Sequence, residues 1–149
     1  MEKELIVITI FSTDKVLLDE DSVAKLLEGD YPVRVKSKIL ATIREIISSS
    51  DRICVLGFLP VFKDSITYED ATQDHYSDLA LYLAPELHCH IVSDLISCYK
   101  DGSFSCREEF VHGSDIIIIG DFCENWAPIV SCLDNAGASS IKCVSIISK

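Results

Sequence analysis

The stretch IIIIGDFCENWAPIVSCLDNAGASSIKCVSII, Ile116 to Ile147, decides how this chain folds. Asp115 leads into four consecutive isoleucines, Ile116 to Ile119, which Gly120 and Asp121 end. An apolar β-branched run of that length, polar on neither face, reads as a strand buried on both sides. Beyond it, Ile129, Val130, Leu133 and Ala136 fall on one face of a helix. Asn125 is placed to cap that helix, Pro128 sits in the first turn, where proline is tolerated, and Gly137 supplies the stop. Ile141 to Ile147 is a closing strand. A strand, a helix and a second strand at this spacing form a βαβ unit, so the two strands run parallel.

The same alternation extends towards the N-terminus. Glu4 to Phe11 reads as a first strand, followed by a turn near Ser12 to Lys15 and a short helix from Ser22 to Leu27, stopped by Gly29-Asp30. Val35, Ile39, Ile43, Ile46 and Ile47 recur at helical spacing up to the serines at 48 to 50. Ile53 to Leu59 is apolar throughout, an inner strand that Pro60 ends. Tyr76, Leu79, Ala80 and Leu83 mark another helix, finishing near Pro85. Cys89 to Val92 is a short strand, and Asp94 to Val111 reads as irregular or hairpin structure around Asp101-Gly102. The order predicts an α/β fold, a three-layer sandwich around a mostly parallel sheet. No linker divides it, so residues 1 to 149 are expected to form a single domain.

Composition narrows the function. The formal net charge of −11 repels phosphate backbones, so nucleic acid is not an expected partner. Arg34, Lys36, Lys38 and Arg44 are the densest basic group, but they alternate with Val35, Ile39 and Ile43 and read as a solvated helix face. No apolar run approaches the roughly 20 residues of a membrane span. No signal-like segment is apparent, and seven cysteines without a CxxC pair read as reduced core thiols, so the expected location is the cytoplasm.

The frame of Ile116 to Ile147 resembles the type I phosphoribosyltransferases. Their signature is four apolar strand residues, two acids, two variable residues, then Thr-Thr-Gly-x-Thr opening a helix that ends in an Ala-Gly-Ala turn. The match here is ungapped and includes Asp121, the helix length and Ala136-Gly137-Ala138. More loosely, Tyr31 to Lys38, the strand Ile53 to Leu59 with Pro60, and the helix Gln73 to Leu83 follow the order of the compact ComF-like branch. The resemblance implies that paired acids hold ribose hydroxyls, that the loop wraps the 5′-phosphate of phosphoribosyl pyrophosphate, and that homodimers are common.

This chain departs from the signature where the phosphate would sit. The first acid is Gly120, the threonine positions hold Glu124 and Asn125, the glycine is Trp126, and the last threonine is Pro128. A carboxylate opposes an anion, an indole occupies space that glycine leaves open, and proline removes an N–H donor. The expectation is a degenerate loop in which Gly120, Asp121, Cys123, Glu124, Asn125 and Trp126 form a ligand-binding site with no catalytic residue and no metal. Lys63, in the loop after the second strand, and more distantly Arg107 are the cations available to an anion. The expected partner is a small nucleotide-like ligand or a protein, bound without a cofactor. The competing reading is an active phosphoribosyltransferase or nucleotide-processing enzyme with an unorthodox phosphate loop, and it would bring in Mg²⁺.

Other chemistries are weaker. His88-Cys89-His90 could join Cys98 or Cys106 at zinc, but the spacing matches no finger or ribbon. Cys123 lies at a helix start, which favours a thiolate, while Asp121 and Glu124 oppose one. Asp64, Glu69, Asp70 and Asp74 read as solvated carboxylates in an acidic protein rather than a Mg²⁺ site.

Overall fold

A computed structural model describes residues 6–12, 20–62, 70–121 and 125–148. In chain order the elements are β1 (Ile6–Ser12), α1 (Glu20–Leu27), α2 (Val33–Ser48), β2 (Cys54–Phe58), α3 (Thr72–Leu83), β3 (His90–Ile91), β4 (Ile96–Cys98), β5 (Phe104–Cys106), α4 (Glu108–Val111), β6 (Asp115–Gly120), α5 (Ala127–Asn135) and β7 (Ser140–Ser148). Five strands form one sheet in the order β1-β7-β6-β2-β3, and every neighbouring pair in it is parallel. β4 and β5 form a separate antiparallel hairpin, which gives regular structure to part of the 94 to 111 segment.

The isoleucine run is the centre of the sheet. β6 lies between β2 and β7, and its side chains alternate between two cores. Ile117 and Ile119 face α2 and α3, where they meet Val35, Ile39, Ile43, Leu79 and Leu83. Ile116 and Ile118 face Leu95, Trp126, Ile129 and Leu133. A strand covered on both sides has no polar face, which is why the run shows no alternation in sequence. Each buried isoleucine or leucine contributes roughly 1.5–3 kcal/mol relative to exposure.

The helices start and stop close to the expected places. α1 begins at Glu20, so Ser22 lies inside it rather than at its cap. In α5 the N-cap position falls on Trp126, one residue after Asn125, although Asn125 Oδ1 accepts the Ala127 N–H at 3.1 Å. Gly137, at φ 90°, follows its end. On α2, Lys36 pairs with Asp78 at 3.3 Å and Arg44 with Glu86 at 2.5 Å, so half of the basic group is matched within the chain. Such exposed pairs contribute little stability.

Candidate functional site

Among β2, β3, β6 and β7 the spatial order is β3-β2-β6-β7, so the chain leaves β2 towards one edge and β6 towards the other. In open parallel sheets, ligands bind beyond the carboxyl ends of the strands at such a reversal. Asp121 follows β6 at that point and is 8% exposed. Its backbone carbonyl accepts the Ile147 N–H at 2.8 Å, which ties the end of β6 to β7.

Two side chains from distant parts of the sequence close on the Asp121 carboxyl. Tyr31 donates its phenol hydroxyl to Oδ1 at 2.6 Å, and His75 Nε2 lies 2.5 Å from Oδ2. An ionised carboxyl offers only acceptors, so Nε2 then carries the hydrogen. Each oxygen of the acid therefore has a protein donor. Burial, and then the adjacent Asp121 charge, push the Tyr31 phenol far above the usual tyrosine range.

Packing fixes both donors. Tyr31, Tyr76 and Phe58 form a stack, with Tyr31 and Tyr76 centroids 6.4 Å apart and Tyr76 and Phe58 centroids 4.6 Å apart. The His75 ring stands edge-on to Tyr76 at 4.7 Å. Gly29 lets the α1–α2 turn reach this cluster. It has φ 85°, and a Cβ there would lie 2.7 Å from the His75 carbonyl oxygen. A side chain at position 29 would strain the turn and push Tyr31 away from Asp121.

Trp126 covers the end of β6. It is 5% exposed, and a Cβ at Gly120 would come within 3.2 Å of its indole and 2.9 Å of Leu59. The glycine in place of the signature's first acid thus makes room for the indole. Ile129 and Leu133 complete the apolar surround.

Of the expected site residues, Gly120, Asp121 and Trp126 come together as buried groups at one strand end, and Asn125 is exposed beside them. Cys123, Glu124 and Lys63 lie outside the described residues. Arg107 is held at the surface by Asp94 and Glu109, on the segment that follows β5, and stacks on Phe110 at 5.1 Å. Asp70, from the acidic group, accepts the Thr72 N–H at the start of α3. The sequence reasoning missed Tyr31 and His75 as partners of Asp121. They lie 90 and 46 positions away from it, and no local spacing links them.

A cleft of about 420 Å³ opens on the same carboxyl edge, beyond β3, between Gln73, His90, Ser93, Asp94 and Phe110. His88 and His90 both border a smaller cavity of about 260 Å³ with Cys89 and Arg52. Among the described residues, no three His, Cys, Asp or Glu side chains converge to hold a metal ion, and all six described cysteines are free thiols. Also among them, no helix is long and apolar enough to cross a membrane.

The arrangement is an α/β fold with a parallel five-stranded sheet and, at the reversal of strand order, an acid with a side-chain partner on each carboxyl oxygen. No protein-family model matches the chain, and no curated protein sequence matches it significantly.

Proposed function

We propose that this chain is a phosphoribosyltransferase-like domain that no longer transfers phosphoribosyl groups and instead binds a small nucleotide-like ligand or a partner protein at the carboxyl edge of its sheet. The strand order around β2 and β6 and the acid directly after β6 support the phosphoribosyltransferase-like assignment.

One observation carries the loss of transfer: both oxygens of Asp121 are already engaged, by Tyr31 and His75. An acid that is to hold ribose hydroxyls must offer them its lone pairs. Here the carboxyl is about a tenth exposed and each oxygen already accepts from a side chain packed against it, so a sugar hydroxyl meets both limited access and competition for the remaining lone pairs. The indole of Trp126 against Gly120 adds a steric argument, because close approach of backbone to phosphate needs open space there.

A binding role is compatible with the same features. The cleft on the same carboxyl edge, bordered by Gln73, His90 and Phe110, has a size suited to a small ligand. The reading is tested by assaying pyrophosphate release from phosphoribosyl pyrophosphate and Mg²⁺ against a panel of nucleobases. No release above the uncatalysed rate is expected. Turnover that Asp121→Asn abolishes would establish an active transferase instead.

A further inference from the structure

Four of the six described thiols meet in twos across elements that are distant in sequence. Cys54, at the start of β2, lies beside Cys89, just ahead of β3. Cys106, on β5, lies beside Cys132, on α5. The first two are poorly placed for chemistry with a dissolved reagent, because Cys54 is 3% exposed. Cys106 and Cys132 are each only partly buried, so a small molecule reaches both sulfurs from solution.

The fold holds these two residues together. β5 packs directly against α5, and Cys106 and Val130 flank the apolar core that contains Ile129 and Leu133. Cys106 Sγ donates to the backbone carbonyl of Cys132 at 3.8 Å, across 26 positions of sequence. The Cys132 thiol is near enough to act on the Cys106 thiol directly: burial first, and this neighbour second, hold Cys106 above the usual cysteine range.

We propose that Cys106 and Cys132 form a redox modification site, a dithiol that a small uncharged disulfide converts to an intramolecular disulfide. The thiolate of Cys132 attacks one sulfur of the reagent R–S–S–R, forming a mixed disulfide and expelling RS⁻, which takes up a proton. Cys106 then loses its proton and attacks the Cys132 sulfur, forming the Cys106–Cys132 bond and expelling the second RS⁻. The two protein thiols give up two electrons and two protons, and the reagent leaves as two RSH. Cys106 sets this order, since it holds its proton tightly until Cys132, one source of that hold, is tied up in the mixed disulfide. Glu108 and Glu109 oppose negative charge at Cys106, and the whole chain carries −11, so an uncharged reagent is favoured over an anionic one.

The test is incubation of the unaltered, folded chain with hydroxyethyl disulfide at pH 8, followed by blocking of the remaining thiols and peptide mapping by mass spectrometry. The expected product is one linkage, Cys106 to Cys132, reversed by dithiothreitol. It should raise the melting temperature by about 5–10 °C, because a cross-link restricts the unfolded chain. Cys106→Ser should retain the reagent on Cys132, whereas Cys132→Ser should leave Cys106 unmodified. A chain that stays reduced, a linkage through any other cysteine, or reagent that remains on Cys132 of the unaltered chain overturns the proposal. A linkage that forms only in urea, or that lowers the melting temperature, overturns it too. Because the mapping uses the unaltered chain, it decides the matter even if a variant fails to fold.

Discussion

The hydroxyl of Tyr31, in the turn before α2, donates a 2.6 Å hydrogen bond to Oδ1 of Asp121, at the end of β6. It joins two positions 90 residues apart and is buried. Hydrogen bonds to charged groups contribute about 1.5–3 kcal/mol, so Tyr31→Phe is expected to lower unfolding stability near neutral pH by about 2 kcal/mol. Urea denaturation of the two proteins measures the difference, and a change below about 0.5 kcal/mol, the range of ordinary surface substitutions, would contradict this role.

The same contact predicts an alkaline dependence. The Tyr31 phenol is raised in the fold, by burial first and the Asp121 charge second. Its stabilisation is therefore fully present below the unfolded tyrosine value, about 10, and is lost as pH rises above it, where the unfolded chain releases a proton that the folded chain retains. The advantage of the unaltered protein over Tyr31→Phe should shrink by about 1.4 kcal/mol per pH unit above that value. A difference that stays constant into this alkaline range would show that the phenol ionises freely in the fold.

Coupling between Tyr31 and Asp121 can be read from a double-mutant cycle. Tyr31→Phe and Asp121→Ala remove opposite ends of one contact, so their combined cost should fall short of the sum by about 1–3 kcal/mol. Additive costs would mean that the geometry contributes no mutual energy.

Trp126, the only tryptophan of the chain, is 5% exposed and packed with Ile129 and Leu133. Its emission should be blue-shifted and poorly quenched by acrylamide. Trp126→Ala should cost about 3–5 kcal/mol, the range for truncating a buried aromatic. Emission typical of an exposed indole would remove the steric argument at Gly120.

Two thiols should be slow to react. Burial, with Cys54 adding a smaller effect, pushes Cys89 up to about 11, and burial together with the neighbouring Cys132 raises Cys106 to about 12. Reactivity follows the thiolate, which is scarce near pH 8 for thiols raised this far. Alkylation mapped by mass spectrometry should label both far more slowly in the folded than in the unfolded chain. Equal rates would contradict their burial.

The fold was legible where burial is two-sided or periodic. Ile116 to Ile119 and Cys54 to Phe58 show a continuous apolar run because helices cover both faces, and α2 shows its buried stripe at Val35, Ile39, Ile43 and Ile46. The β4–β5 hairpin was less legible, since its strands are three residues long and only partly buried apart from Ile96. The place of Asp121 was legible as the residue that follows a buried strand, through the isoleucine run before it. Tyr31 and His75 were not, because only the packing of the α1–α2 turn and the first turn of α3 over the sheet brings them to it.

Asp121, with Tyr31 and His75 on its two oxygens, is proposed to be withdrawn from sugar binding. Calorimetric titration of the whole chain with phosphoribosyl pyrophosphate and Mg²⁺ tests it most directly. No saturable heat is expected at millimolar ligand. Micromolar affinity that disappears in Asp121→Asn would show the acid to be available to the sugar after all.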